Sequence, residues 1–307
     1  MATVSTPLIA EPLNITAPGL QGDLQGTYLS AGTGAPVVLI VPGSGPTDRD
    51  GNNPLGIRAA PYRLIAEGLA SFGIASVRID KRGMVGSAKA VPDANGVTIA
   101  DYAGDVHRWI GAIRDQTRAS CVWVLGHSEG ALVTLKAAQS PEGICGLLLV
   151  SSPGRKLGDI LRAQLTANPA NAPLLPGALA AIATLEDGGT IDAGTLHPAL
   201  APMFAPGIQS FLRDLFSHDP AKLIAAVSLP VLILHGEADL QTGVEDARLL
   251  AAANPDAILE LIPNTNHVLK SVPVVDVAAN LATYGDPALP LASGVVEALA
   301  GFLLERR

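Results

Sequence analysis

The hydrophobic positions of this chain fall into two alternating patterns. Short runs of continuous apolar residues are typical of strands that are covered on both faces. Between them lie segments in which apolar residues recur every three or four positions, as on one face of a helix. The continuous runs lie at 36–41, 74–80, 121–126, 144–152, 231–236 and 257–263. Strands that alternate with helices predict right-handed crossovers and a mostly parallel sheet, which is the α/β class.

The helical pattern is clearest in residues 98–117. Its apolar positions are spaced by three or four: Ile99, Tyr102, Val106, Trp109, Ile110 and Ile113. Thr98, followed three residues later by Asp101, resembles a capping box and predicts the start of this helix. Further helices are predicted at 64–72, at 131–139 and at the C-terminal end of the chain.

Two segments depart from this alternation. Residues 10–31 hold two modest extended stretches separated by Gly-rich punctuation, which predict an N-terminal hairpin. Residues 154–228 contain no strong strand signal and consist of Ala- and Leu-rich helical pieces interrupted by proline. We expect this segment to form a helical cap inserted into an α/β core of residues 1–153 and 229–307. The alternative is additional scaffold with no role at a functional site.

Composition narrows the classes of function. The chain has 307 residues, of which 48% are hydrophobic and 16% charged, and its net charge is −8. This acidic balance offers no electrostatic surface for DNA or RNA. No window approaches about 18 uninterrupted apolar residues, so no membrane span is predicted. The first residues lack the basic start and long apolar stretch of a secretory signal.

The two cysteines, Cys121 and Cys145, each stand at the head of an apolar run. Two cysteines cannot form a disulfide framework. We therefore expect both to be buried thiols rather than a bridge or a metal site. A reducing, cytoplasmic location follows from this expectation.

The strongest chemical signal is the stretch Gly126-His127-Ser128-Glu129-Gly130, which lies between a predicted strand and a predicted helix. In this context G-x-S-x-G is the motif of the nucleophile elbow of α/β-hydrolases. The turn is so tight that Gly126 and Gly130 are needed where side chains would collide. Ser128 is therefore the candidate nucleophile, and the following helix N-terminus directs backbone N–H groups towards charge that forms there. His127 is interpreted as a packed or hydrogen-bonded residue.

A serine hydroxyl needs a base to take its proton, and that base needs an orienting acid. His267 stands in a polar loop after the last predicted strand, where it can reach Ser128. Asp239 lies a short turn beyond the preceding strand and is the candidate acid, with Glu237 as the alternative. The order Ser128, Asp239, His267 is the order of nucleophile, acid and base that is typical of α/β-hydrolases.

These motifs resemble the α/β-hydrolase superfamily over about residues 30–307. More narrowly, the stretch GSGPTDRDGN at 43–52 is similar to a loop of the bacterial carboxylesterase branch that is grouped with serine aminopeptidase-type hydrolases. The stretch DKRGMVGS at 80–87 resembles the D-x-R-G-x-G-x-S segment after the next strand. The resemblance implies an α/β-hydrolase fold and ester hydrolysis through an acyl-enzyme, without a cofactor or a metal.

The loop at 42–53 does not match either of two other binding motifs, the phosphate-binding P-loop and the calcium-binding loop. A phosphate-binding P-loop needs Gly-Lys-Ser/Thr, which is absent. A calcium loop that starts at Asp48 needs Gly at its sixth place and Glu at its twelfth, where the chain has Asn53 and Ala59. The loop is therefore better explained by the resemblance.

The resemblance assigns the two donors of an oxyanion hole to the backbone N–H groups of Ser44 and Glu129. Asp48, Arg49 and Asp50 are then interpreted as an ion-paired brace that fixes the loop.

The predicted function is hydrolysis of a small-molecule carboxylic ester. A serine peptidase or amidase would use the same triad and would show an anionic pocket for the substrate amine. An acyl-CoA thioesterase would need a basic entrance, and the predicted cap has few basic residues. A non-catalytic binding protein on a hydrolase fold is the alternative from a different class. Three phenylalanines of the cap, Phe204, Phe211 and Phe216, suggest an apolar acyl or aryl pocket.

Overall fold

A single twisted sheet organises the protein. The computed structural model describes residues 10–273 and 276–306. Its strands are β1 (Leu13–Ala17), β2 (Leu24–Leu29), β3 (Val37–Val41), β4 (Ala75–Ile79), β5 (Val122–His127), β6 (Ile144–Val150), β7 (Val231–Gly236) and β8 (Ile258–Ile262). They lie in the order β1-β2-β4-β3-β5-β6-β7-β8. The hairpin β1–β2 and the pair β2–β4 are antiparallel, and all other pairs are parallel. The predicted α/β class and N-terminal hairpin are confirmed.

The helices are α1 (Pro61–Ser71), α2 (Ile99–Thr117), α3 (Glu129–Ala137), α4 (Leu157–Ala167), α5 (Leu175–Glu186), α6 (Gln209–Ser217), α7 (Pro220–Ala225), α8 (Val244–Ala253), α9 (Val277–Ala282) and α10 (Val295–Leu304). Helices α1 to α8 connect the parallel strands, and α9 and α10 follow the last strand. The capping box at the start of α2 is present, because Thr98 and Asp101 bond to each other's backbone N–H groups.

The inner strands β3 to β7 are buried on both faces, as their continuous apolar runs predict, whereas the edge strand β8 is partly exposed. In β3, Val37, Leu39 and Val41 pack into a core that includes α2 and α3. Val38 and Ile40 point to the opposite face, into a second core that includes α1 and α10. Side chains alternate along a strand, so a strand with helices on both sides needs apolar residues at every position.

The segment between β6 and β7 is helical throughout its regular elements. It holds α4, α5, α6 and α7 and no strand. The first three pack against one another, whereas α7 packs against α3 and α8. Two of its phenylalanines, Phe204 and Phe216, are buried in the apolar core. Within the described residues, no helix is both long enough and apolar enough to cross a membrane.

The expectation of two free thiols is wrong. Cys121 and Cys145 form a disulfide, with their Cα atoms 5.2 Å apart. Cys121 directly precedes β5 and Cys145 lies in β6, and these two strands are neighbours in the sheet. Neighbouring strands bring residues within the distance that a disulfide spans. The inference of a reducing compartment therefore loses its premise, since disulfides persist in oxidising surroundings.

The parallel strands end at one edge of the sheet, and the predicted site residues follow those ends. Ser44 lies beyond β3 and Ser128 directly follows β5. Asp239 and His267 lie beyond β7 and β8. In open α/β sheets, ligands bind outside the carboxyl ends of the strands.

Candidate active site

Ser128 occupies a strained turn between β5 and α3. Its backbone lies at φ 55° and ψ −124°, a conformation that non-glycine residues rarely adopt. A Cβ at Gly126 would collide with the carbonyl oxygen of Gly130, and a Cβ at Gly130 would collide with that of Val41. The two glycines thus permit the tight crossing that exposes Ser128 at the sheet edge. Strain of this kind is concentrated at functional sites.

His267 and Asp239 form a buried pair. The Nδ1 of His267 lies 2.8 Å from Oδ2 of Asp239, and the two side chains are 6% and 0% exposed. A carboxylate only accepts hydrogen bonds, so Nδ1 carries the proton and Nε2 of neutral His267 is left as a base. The backbone N–H groups of Gln241 and Thr242 also donate to Asp239.

The carboxylate of Asp239 is ionised in this setting. Burial by itself would raise the pKa of Asp239, but the His267 imidazole and the backbone donor at Gln241 outweigh it and hold the pKa at about 2. An ionised Asp239 fixes the tautomer of His267 and stabilises the imidazolium that forms when His267 takes a proton.

Ser128 and His267 line the same cavity, of about 90 Å³. Within the described residues, Ser128 Oγ makes no hydrogen bond. The side chains of Ser128 and His267 therefore share a cavity but are not hydrogen-bonded to each other. Catalytic hydrogen bonds often tighten only when a substrate is bound. The arrangement therefore places the candidate nucleophile and the candidate base at one cavity.

A directed chain of hydrogen bonds runs behind these residues. Nε2 of His127 lies 2.8 Å from the backbone carbonyl of His267, which can only accept, so Nε2 carries the proton. Nδ1 of His127 must then accept from the hydroxyl of Tyr62, 2.9 Å away. The hydroxyl oxygen of Tyr62 accepts in turn from the backbone N–H of Gly43 at 3.0 Å. All three side chains, Tyr62, His127 and His267, are buried.

Burial sets the protonation states of His127 and Tyr62 in this series of hydrogen bonds. Burial, together with the nearby His267, lowers the pKa of His127 to about 3. Burial also raises the pKa of Tyr62. His127 is therefore neutral and Tyr62 keeps its proton at neutral pH, as the direction of the hydrogen bonds requires.

A second buried network joins the loops of the base and the acid. The side chain of Asn266 donates to Asn280 at 3.1 Å, and Asn280 donates to the backbone carbonyl of Ala238 at 2.8 Å. Asn266 and Ala238 directly precede His267 and Asp239 in the chain. The two amides thus tie together the loops that carry His267 and Asp239.

Two backbone N–H groups are free at the predicted oxyanion hole. The N–H of Gly43 is engaged by Tyr62. Neither Ser44 nor Glu129 donates its backbone N–H to an acceptor in the part of the chain that the structure describes. Both residues line one cavity. Free backbone N–H groups of this kind are what a developing negative charge requires.

The loop that carries Ser44 is tied to the end of β4. Arg49 pairs with Asp80, its Nη2 lying 2.5 Å from Oδ2, and Asp50 pairs with Arg78. Asp48 plays a different part, since its carboxylate accepts from the backbone N–H groups of residues 50 and 52. Arg49 and Asp50 thus form ion pairs with residues in β4 or directly after it, and Asp48 closes the turn by accepting from the backbone.

The side chain of Glu129 is neutralised by Lys81. Nζ of Lys81 lies 2.8 Å from Oε1 of Glu129, and the two side chains are 3% and 1% exposed. The ammonium also lies 4.9 Å from the centre of the Tyr102 ring. A buried charge needs such a partner, because desolvation is otherwise too costly. The carboxylate next to the predicted oxyanion donor is therefore paired.

The sequence reasoning did not find Tyr62, Lys81 or Asn280. Each acts on a residue far along the chain, and Tyr62 and Asn280 belong to none of the motifs. The one available signal was at Lys81, a charged residue at the variable second position of the DKRGMVGS stretch, just beyond β4. Within residues 10–273 and 276–306, no cluster of three or more His, Cys, Asp or Glu could hold a metal ion.

Comparison with known proteins identifies relatives. Residues 56–270 match the family described as "Serine aminopeptidase, S33". Esterase EstD of Thermotoga maritima is 27% identical over 246 residues, which cover 78% of this chain and 54% of EstD. The chain therefore spans about half the length of this curated relative.

Solved structures share the fold. A thermophilic esterase from Thermogutta terrifontis superposes with a TM-score of 0.57 at 18% identity, over 97% of this chain and 99% of that one. A bromoperoxidase from Bacillus anthracis superposes with a TM-score of 0.55, also at 18% identity, over 95% of this chain and 100% of that one. At these identities the likeness shows the fold and leaves the reaction to be argued from the site.

Proposed function

Because the chain belongs to the serine aminopeptidase (S33) family of α/β-hydrolases, we propose that it hydrolyses carboxylic esters with Ser128, His267 and Asp239 as its triad. The observation that carries the proposal is the buried His267–Asp239 pair, whose His267 lines the same cavity as Ser128. A base whose Nε2 is free and whose Nδ1 is held by a carboxylate is suited to activate a serine hydroxyl.

The reaction has two halves. Ser128 Oγ forms a bond to the acyl carbon while its proton passes to Nε2 of His267, and the N–H groups of Ser44 and Glu129 hold the oxyanion. The bond from the acyl carbon to the alkoxy oxygen then breaks, and the His267 proton goes to the departing alcohol. In the second half, water loses a proton to His267 and attacks the acyl carbon. The bond from the acyl carbon to Ser128 Oγ then breaks, the acid leaves, and the proton returns from His267 to Oγ.

Ester hydrolysis fits the site better than aminopeptidase chemistry. A substrate amine would need an unpaired carboxylate near the nucleophile. Glu129 supplies the one carboxylate among the residues that line the two cavities at Ser128 and Ser44, and Lys81 neutralises it. A neutral ester avoids this conflict, and the relation to esterase EstD points the same way.

The finer assignments belong to the same proposal. Residues 154–228 act as the cap over the site, the substrate is a small molecule, and neither a cofactor nor a nucleic acid takes part. The cytoplasmic location stays a prediction, and the disulfide weakens its basis.

The experiment compares three proteins on a short p-nitrophenyl ester: wild type, Ser128→Ala, and Ser140→Ala as an exposed control. We expect Ser128→Ala to lose at least a thousandfold in kcat and to resist labelling by a fluorophosphonate, while Ser140→Ala behaves as wild type. Equal rates in wild type and Ser128→Ala would refute the triad. Faster turnover of aminoacyl anilides than of esters would favour a peptidase.

A further inference from the structure

An apolar cavity adjoins the oxyanion loop on the side of α6. Its volume is about 370 Å³. Its floor carries Ser44, Lys81 and Glu129, and α6 contributes Phe211, Leu212 and Leu215. We call it the α6 cavity. Of the three cap phenylalanines singled out in the sequence, Phe211 lines this cavity, whereas Phe204 and Phe216 are buried in the core.

The two halves of an ester must lie on different sides of Ser128. The departing alkoxy oxygen takes its proton from His267, so the alcohol has to lie on the His267 side. The acyl group is then directed away from His267. The cavity of about 90 Å³ contains His267 and Ser128. The α6 cavity is lined by both predicted oxyanion residues, Ser44 and Glu129, and by neither His267 nor Ser128. Ser44 also lines the smaller cavity, so the two cavities adjoin at Ser44.

The sizes of the two cavities differ about fourfold. An apolar protein cavity of about 150 Å³ holds a benzene molecule. The α6 cavity therefore has room for an acyl group larger than a phenyl ring. The cavity at His267 is the smaller of the two, which favours a small alcohol on that side.

The charge of the α6 cavity is balanced. Lys81 and Glu129 pair with each other at its floor, and neither is available to a charged substrate without loss of a buried partner. The remaining wall is built mainly from aliphatic and aromatic side chains. An uncharged apolar group therefore suits this space better than an anion or a cation.

We infer that the α6 cavity holds the acyl group, and that the substrates are small-alcohol esters of apolar acids with an acyl chain of medium length or an arylalkyl acyl group. This inference rests on the proposed ester hydrolysis and adds the substrate class and the residue that sets it, Leu212. Each methylene that the cavity buries raises kcat/KM by about fourfold until the space is full.

The test uses two ester series, followed by titration of the released acid. The first holds the alcohol as methanol and lengthens the acid from acetic to octanoic, with phenylacetic acid added. The second holds the acid as acetic and lengthens the alcohol from methanol to octanol. We expect kcat/KM to rise at least tenfold along the first series and to stay level or fall along the second.

Variants of Leu212 test which of the two cavities holds the acyl group. Leu212→Trp narrows the α6 cavity and should lower kcat/KM for methyl hexanoate about tenfold, while methyl acetate changes less than twofold. Leu212→Ala should move the optimum to longer acids. Met203→Trp makes the same kind of change on the exposed face of the cap, outside the cavity, and should leave both series unchanged.

The outcomes are distinct. If the wild-type enzyme cleaves no ester in either series, the proposed ester hydrolysis fails. If it cleaves esters but prefers long alcohols, or if Leu212→Trp alters the alcohol series instead of the acid series, the assignment of the acyl group to the α6 cavity is overturned. If Leu212→Trp shortens the preferred acid and Met203→Trp does not, the assignment holds.

Discussion

Nε2 of His127 donates a hydrogen bond to the backbone carbonyl of His267 across 2.8 Å. These residues stand 140 positions apart in the chain. The bond places the residue before Ser128, the candidate nucleophile, in direct contact with the loop of His267, the candidate base. Through Tyr62, it also connects His267 to Gly43, which precedes the predicted oxyanion donor Ser44.

Removal of the Tyr62 hydroxyl should impair catalysis more than binding. Tyr62→Phe leaves Nδ1 of His127 and the N–H of Gly43 without partners, and each unsatisfied buried group costs about 1–3 kcal/mol of stability. We expect kcat to fall about tenfold with KM little changed, because the oxyanion loop and His267 lose a common support. Steady-state kinetics on a short ester would measure this. Tyr28→Phe, on a half-buried tyrosine of β2, is the matched control, and an unchanged kcat in Tyr62→Phe would show that the chain of hydrogen bonds is dispensable.

His127 should make the protein sensitive to acid. Its folded pKa of about 3 lies below the unfolded value of 6.5, so the unfolded state binds more protons between these values. Stability therefore falls as the pH is lowered from about 6.5 towards 3, with a slope on the order of 1 kcal/mol per pH unit. Asp239 makes stability fall with pH in the same direction, but only below its unfolded pKa of 3.8.

Urea unfolding at pH 7, 6, 5 and 4 would measure this dependence. His127→Asn should give a flatter curve than wild type in this range, because asparagine does not titrate. Parallel curves for the two proteins would contradict the role of His127.

The Ser44 amide, rather than its hydroxyl, should matter for the reaction. Ser44→Ala keeps the N–H and should change kcat less than threefold. Ser44→Pro deletes the N–H and should lower kcat by about a hundredfold or more, the usual loss for one oxyanion donor. Circular dichroism of both variants would check that the fold is intact. If the alanine variant were as inactive as the proline variant, the hydroxyl would have to take part.

Lys81 should act by neutralising Glu129. Lys81→Met leaves a buried carboxylate beside the developing oxyanion, so we expect kcat to fall at least tenfold and stability to fall by about 3–5 kcal/mol. The double variant Lys81→Met/Glu129→Gln removes both charges and should recover most of the loss in each measurement. A double variant no better than Lys81→Met would mean that Lys81 itself, and not the balance of charge, is required.

Much of the fold could be predicted because its signals are local. A strand covered on both faces needs apolar residues at every position, and a helix needs them every three or four, so runs such as 36–41 and 121–126 predicted their elements directly. The candidate triad rests on similar local signals. Ser128 was predicted from a tight turn whose glycines are required sterically. Asp239 and His267 were predicted from their positions after consecutive strands. Their catalytic roles stay predictions.

The side-chain partnerships could not be predicted, because they depend on which strands become neighbours. Strand β3 lies between β4 and β5, and this order brings Lys81 to Glu129 across 48 residues of sequence. The same stacking of layers sets Tyr62 of α1 against His127, 65 residues away. The pairing of β5 with β6 joined Cys121 to Cys145, where apolar context alone had indicated free thiols.

The elements, their order and the residue types at the carboxyl ends of the strands follow from local sequence, since hydrophobic period and turn chemistry act over a few neighbouring residues. The three-dimensional arrangement was needed to show that Lys81 neutralises Glu129, that His127 supports His267, and that Phe211 rather than Phe204 or Phe216 faces the α6 cavity. These contacts arise from packing between distant segments, and no local pattern in a single chain records them.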